Sequence, residues 1–207
     1  MIDYSRLEEI EKFFELPHDE AFKIADGSLE VMLSAPHSVT QTRKGVIKKS
    51  EKKTGVLALL LNEDTGCPSI VKTKNCGDDA NFDAVSDYKH ELIDYVLNNG
   101  IKLLIDLHEL APSRKVLIDV GTGKLKNVKD TAIINRFLKA FGSRGMCVQI
   151  DAPFSASNPN TVSSSVARYC NIPCVQLEIN SRLLYPQFAE YDFNGVYSAL
   201  KEIITRI

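Results

Sequence analysis

The sequence predicts an α/β protein, a three-layer α/β/α sandwich around a mainly parallel mixed sheet. Beyond about residue 50, short apolar runs alternate with segments of helical period, the pattern that strand-helix-strand units leave in a chain. Runs such as Leu103-Leu104-Ile105 lack the polar alternation of a half-exposed strand, so both sheet faces are expected to be covered by helices. At 207 residues the chain suffices for one well-packed domain and is short for two, so residues 1–207 are read as a single domain.

An amphipathic helix opens the chain, with Asp3, Arg6, Glu8, Glu9, Glu11 and Lys12 set among apolar positions. Strands 21–24 and 29–34 flank Asp26-Gly27, a dipeptide suited to tight hairpins, so these two strands are expected to pair antiparallel. Helix 51–61 and strand 69–73 follow. Helix 84–97 carries Val85, Tyr88, Leu92 and Val96 at helical spacing and stops at Asn99-Gly100. Next come strands 102–107 and 115–120, helix 131–141, strand 147–150, helix 161–169, strand 174–179 and a C-terminal helix. Gly121-Thr122-Gly123 follows a strand without the rest of a dinucleotide fingerprint and reads as a hairpin turn. Asn160 or Thr161 is the expected N-cap of helix 161–169, and the segment from Asn158 a candidate rim for a cleft.

An apolar fraction of 44%, a charged fraction of 25% and a formal net charge of −2 describe an ordinary soluble protein, with no basic stretch long enough for a nucleic-acid groove. The one basic cluster, Arg43, Lys44, Lys48, Lys49, Lys52 and Lys53, reads as a solvated loop entering a helix. No apolar run reaches membrane-spanning length, and the first helix is unlike a secretory signal. Five cysteines, an odd number without a CxxC pair, point to reduced, mostly buried thiols and to the cytoplasm.

Chemistry concentrates at strand ends. His37 closes the apolar run that begins at Val31, and His108 closes another, Leu103-Leu104-Ile105-Asp106-Leu107. Open α/β sheets gather ligands where strands deliver their carboxyl ends, so two such histidines can converge on one metal. Zinc hydrolases commonly add one carboxylate, and Glu51, at the start of the next helix, is the nearest candidate; its other reading is a charge favoured by the helix dipole. Glu63 lies at the wrong end of that helix. Asp106 shares a strand face with His108 and is placed to orient its imidazole. His18 and His90 are expected to face solvent. Glu178, late in the apolar strand Cys174-Val175-Gln176-Leu177-Glu178-Ile179, needs a cation, a hydrogen-bond network or a functional cleft. It is a candidate general base, or else the partner of Arg182.

The segments Ser34-Ala35-Pro36-His37-Ser38, Ile105-Asp106-Leu107-His108 and Val175-Gln176-Leu177-Glu178-Ile179-Asn180, followed by Arg182 and Tyr185, resemble the N-formylglutamate amidohydrolase family in content and order. That family is related to zinc carboxypeptidases. The resemblance spans about residues 29–185 and implies a zinc-exopeptidase-like fold, one zinc or other divalent ion held by His37, Glu51 and His108, and Glu178 as base. The chain departs from the carboxypeptidase His-x-x-Glu spacing, with Thr40 three residues after His37, and has Val39 where the family has glycine.

The function so implied is zinc-dependent cleavage of an N-acyl, N-formyl or γ-glutamyl amide in a small acidic N-acyl amino acid or peptide. Arg43, Asn81 and Arg182 are the candidate binders of the substrate carboxylate; alternatively Arg43 is solvated, Asn81 caps a helix near Ala84 and Arg182 neutralises a nearby acid. Rival readings are a poly-γ-glutamate or cell-wall peptide hydrolase, and a non-enzymatic binding protein on the same fold. Ser38, Ser163 and Ser164 lack a nucleophile elbow, and the cysteines lack a nucleophile signature, which makes covalent catalysis the weaker enzyme model.

Overall fold

A computed structural model describes residues 4–206. Sixteen elements follow in the order α1 (Tyr4–Phe13), β1 (Phe22–Ala25), β2 (Val31–Ala35), β3 (Gln41–Arg43), β4 (Val46–Lys48), α2 (Lys52–Thr65), β5 (Ser69–Lys72), α3 (Asp87–Asn98), β6 (Leu103–Leu110), β7 (Ile118–Gly121), α4 (Thr131–Gly142), β8 (Val148–Ile150), α5 (Val162–Cys170), β9 (Cys174–Asn180), α6 (Ser181–Leu184) and α7 (Phe193–Thr205). Asp3, read with the charges of the first helix, lies outside the described residues.

Seven strands form one sheet in the order β1-β5-β2-β6-β9-β7-β8, with β3 and β4 a separate hairpin. The pairs β2–β5, β2–β6, β6–β9 and β7–β8 are parallel, while β1–β5 and β7–β9 are antiparallel. This is the expected three-layer α/β/α arrangement. Strand alternation divides the core. Val31, Leu33, Ile105, Leu107, Val175 and Leu177 pack toward one set of helices, among them α2, α4 and α7. Met32, Ile70, Leu104 and Cys174 meet Tyr88, Leu92 and Val96 of α3 and Val162 and Val166 of α5. Among the described residues, no helix is long and apolar enough to cross a membrane.

Several local expectations are corrected. The strands around Asp26-Gly27 do not pair with each other, because β5 lies between β1 and β2. Long-range bonds hold this corner: Asn62 Nδ2 donates to the Asp26 carbonyl at 2.9 Å, and Ser28 N donates to the Gly66 carbonyl at 2.8 Å. Gly27 is needed for close approach, since a Cβ there would overlap the Gly66 carbonyl oxygen and the Pro68 nitrogen. Nor do Gly121-Thr122-Gly123 turn a hairpin: β7 and β8 are parallel, and α4 falls between them in the chain. Val85 precedes α3 and is exposed, so its agreement with the helical spacing is coincidental.

The basic cluster is not a simple solvated loop. It contains the β3–β4 hairpin, turned by Lys44 and Gly45 at φ 52° and 76°, and Lys53 is buried against Glu11. Of the cysteines, Cys67 and Cys174 are buried while Cys76 and Cys147 are exposed, so the thiols are free but not mostly buried. Thr161 is the N-cap of α5, its hydroxyl accepting from Ser164 N.

Gly27→Ala is expected to lower stability by about 1–3 kcal/mol in urea unfolding, through overlap with the β5 approach. Gly142→Ala, where a Cβ meets nothing within 4 Å, is expected to stay within about 0.5 kcal/mol of the parent.

Candidate metal centre

The α3/α5 side of the sheet turns from apolar to polar toward the carboxyl ends of β2, β6 and β9. Register sets the change: Ser34 pairs with Asp106, Asp106 with Gln176, His108 with Glu178, and Glu178 with Asp119 of β7. Residues two apart on one strand share a face, so Asp106 and His108 stand beside Gln176 and Glu178. All of these side chains are buried, so each requires a polar partner.

His37 lies two residues beyond the end of β2, and Glu51 is the N-cap residue of α2. Glu51 N donates to the His37 carbonyl at 2.7 Å, closing the excursion of residues 38–50 that contains the β3–β4 hairpin. This bond brings Glu51 to His37 without the His-x-x-Glu spacing. His37 Nδ1 lies 3.0 Å from Glu51 Oε1, His108 Nδ1 3.3 Å from Glu51 Oε2, and the two Nδ1 atoms 3.2 Å from each other. Tetrahedral coordination at about 2.0–2.1 Å requires ligand atoms about 3.3 Å apart, so the spacing suits a zinc-sized ion.

The donor chemistry supports the same fit. His37 Nε2 donates to Asp79 Oδ1 at 2.9 Å, and His108 Nε2 donates to Asp106 Oδ2 at 3.1 Å. An ionised carboxylate only accepts, so each Nε2 carries the proton and, in a neutral ring, each Nδ1 carries the lone pair. Two lone pairs and a carboxylate then converge, and protons or a cation must separate them. Protons can serve: although burial would lower the imidazoles, Glu51 and Asp79 raise His37 to about 9, while Asp106 and Glu51 raise His108. Glu51 is correspondingly lowered, His37 and His108 outweighing its burial. Asp79 falls to about 2 despite its burial, because His37 and Arg43 stabilise its charge.

The anchors are themselves anchored. Ser34 Oγ donates to Asp106 Oδ1 at 2.8 Å, and the buried Tyr88 hydroxyl accepts from Ala35 N at 3.0 Å while donating to the Ile70 carbonyl at 2.9 Å. Glu109, beside His108, links strand to helix: its N donates to Glu51 Oε2 at 3.0 Å, and its Oε1 accepts from Lys53 N and the Tyr185 hydroxyl, each at 3.1 Å. Burial and the nearby Glu51 charge raise Glu109 to about 8.

A cleft of about 440 Å³ opens over these groups, bordered by His37, Glu51, His108, Glu178, Arg43 and Asn81. Glu178 Oε1 accepts from Gln176 Nε2 at 2.8 Å, and burial raises its carboxyl to about 7. Residues 153–158 form the facing wall; Asp119 holds their start by accepting from Ala152 N at 3.0 Å and Phe154 N at 2.8 Å. Arg43, on β3, donates through Nε to Asp79 at 2.7 Å and lies over the Phe82 ring. Asn81 does not cap a helix near Ala84; its Oδ1 accepts from Val162 N at 2.8 Å, tying the start of α5 to the cleft.

Arg182 is not brought to this cleft. Its guanidinium pairs with Glu190 at 2.6 Å and with the Arg114 carbonyl at 3.0 Å, the neutralising role rather than the substrate role. His90 is exposed, but His18 is half-buried against the Phe13 ring, with Nε2 2.7 Å from the Phe13 carbonyl. Sequence reading missed Asp79, Gln176, Glu109 and Asp119. A signal existed for Gln176 and Asp119, polar positions within apolar strands; Asp79 sits in an acidic turn where aspartate is unremarkable in sequence.

No protein-family model matches the sequence, and no curated protein matches it. Solved structures share the fold. A bacteriophage poly-γ-glutamate hydrolase aligns over 91% of this chain and 90% of its own at 17% identity, with a TM-score of 0.59. N-formylglutamate amidohydrolase from Ralstonia eutropha JMP134 aligns over 88% of this chain and 96% of its own at 11% identity, TM-score 0.62. Succinylglutamate desuccinylase from Chromobacterium violaceum covers 90% of this chain and 67% of its own at 15% identity, TM-score 0.57. These likenesses establish a carboxypeptidase-like α/β fold, in agreement with the one implied by the sequence motifs.

Tyr88→Phe removes the hydroxyl that serves Ala35 N and the Ile70 carbonyl. It is expected to cost about 1–3 kcal/mol, seen as a lower urea midpoint with unchanged denaturant slope.

Proposed function

We propose that the protein is a zinc-dependent amidohydrolase that cleaves an N-acyl, N-formyl or γ-glutamyl amide in a carboxylate-bearing substrate. The observation that carries this reading is the convergence of His37 Nδ1, His108 Nδ1 and the Glu51 carboxylate in a cleft that also holds the buried Glu178. The amide hydrolases among the structural neighbours support the same reaction class. His37, Glu51 and His108 would hold the ion, and zinc in such a setting would supply Lewis acidity toward the amide carbonyl and acidify water.

This chain's own residues do the rest. Glu178 takes a proton from the attacking water and hands it to the leaving nitrogen; a buried carboxyl near neutrality suits both transfers. Gln176 holds that carboxylate in place through its amide. Arg43 borders the cleft with only its Nε engaged by Asp79, so its remaining guanidinium donors can receive a substrate carboxylate, a pairing for which the planar fork is suited. Asn81 ties the start of α5 to the cleft lining beside it. Asp79 and Asp106 fix the tautomer and the orientation of the imidazoles.

Purified protein is expected to hold about one zinc per chain by elemental analysis and to hydrolyse N-acyl glutamates. Glu178→Gln should keep the metal and lose about 10²–10⁴ in kcat; hydrolysis undiminished in that variant sinks the mechanism. Asp79→Ala or Asp106→Ala should weaken zinc about 10- to 100-fold in chelator competition, while His37→Ala should abolish stoichiometric binding.

A further inference from the structure

A second cavity, of about 470 Å³, adjoins the metal-centre cleft. Glu51 and Glu109 border both spaces, whereas His37, His108 and Glu178 border only the first. Glu51 and Glu109 therefore form a wall that the two spaces share, and reaction chemistry assigns a substrate fragment to each side of it. On the reading proposed above, on which this inference rests, Glu178 delivers a proton to the leaving nitrogen. The amine fragment must then lie on the Glu178 side, where Arg43 can meet its carboxylate. The substituent on the carbonyl carbon points the opposite way, past Glu51 and Glu109.

Apolar surface dominates that second room. Leu110, Ala111, Pro112 and Phe188 line it, together with Tyr185, whose hydroxyl is tied to Glu109, leaving the ring as its offering to a guest. Lys49 is an exposed cation among the same lining residues. A formyl group carries only hydrogen beyond its carbonyl and would fill none of this space. From this we propose that the second cavity is an acyl-binding subsite, taking an acyl group with an apolar body of several carbons, aliphatic or aromatic. Each carbon buried there leaves water for apolar contact and strengthens binding of the scissile amide.

The test compares kcat/KM of the zinc-loaded protein on N-formyl-, N-acetyl-, N-succinyl-, N-hexanoyl- and N-benzoyl-L-glutamate. Hexanoyl or benzoyl substrate is expected to exceed formyl by at least about tenfold. Ala111→Trp, which fills the cavity from an exposed position, should cut that ratio at least about tenfold, and Phe188→Ala should lower it as well. Equal or better turnover of the formyl compound overturns the subsite. So does a preference for succinyl over both apolar acyl groups, which would assign recognition to Lys49, and so does a ratio that neither variant moves. Failure of the hydrolase reading looks different: zinc-loaded protein that cleaves no member of the series ends both claims.

Discussion

Two imidazoles can stand with their inner nitrogens 3.2 Å apart in a buried site only if their outer nitrogens are fixed elsewhere. Asp79 and Asp106 do this for His37 and His108, and the rest of the site follows from it. With the outer nitrogens committed as donors, neutral rings turn both lone pairs inward at a place that Glu51 also faces, where a cation can answer all three at once. The acids come from different parts of the sheet. Asp106 lies on the same strand as its histidine, whereas Asp79 comes from the loop after β5, the strand on the other side of β2.

Parallel pairing makes that convergence cheap. Four neighbouring strands, β5, β2, β6 and β9, deliver their carboxyl ends to one edge, and each places something there: Asp79 beyond β5, His37 beyond β2, His108 on β6, Glu178 on β9. The start of α2 is locked onto the same edge by a chain of backbone donors. Glu51 N meets the His37 carbonyl, Glu109 N meets the Glu51 carboxylate, and Lys53 N meets the Glu109 carboxylate. Glu51 makes no side-chain cap to its own helix, so Glu109 supplies the acceptor that an N-cap usually provides. Glu51 is thereby left to face the histidines.

Much of this was legible in the sequence where a polar residue interrupts an apolar strand. His108 and Glu178 stood out because burial of such groups demands a partner, and Asp106 could be paired with His108 from strand alternation alone. Glu51 could be reached only as the first acid of the next helix; the bond that brings it to His37 spans residues invisible to local pattern. Asp79 was hidden for the opposite reason, because acids and asparagine are ordinary in turns such as Gly77-Asp78-Asp79-Ala80-Asn81. The Asp26-Gly27 hairpin failed because strand order is set by nonlocal pairing: β5 arrives from beyond α2 and takes the place beside β1. The β3–β4 hairpin escaped because its strands span only Gln41–Arg43 and Val46–Lys48, too short for an alternating pattern to register. Arg182 was drawn to the site by its nearness to Glu178 in sequence, yet β9 ends at Asn180 and α6 carries it off to Glu190.

In the proposed function, two aspartate-anchored imidazoles and Glu51 form a metal site. Diffraction from crystals grown with zinc, recorded at the zinc absorption edge, tests it most directly. The proposed site should give one strong anomalous peak per chain, bonded to Nδ1 of His37, Nδ1 of His108 and the Glu51 carboxylate, with both Nε2 atoms still on Asp79 and Asp106. Absence of a peak there, or ligation by other residues, would contradict it.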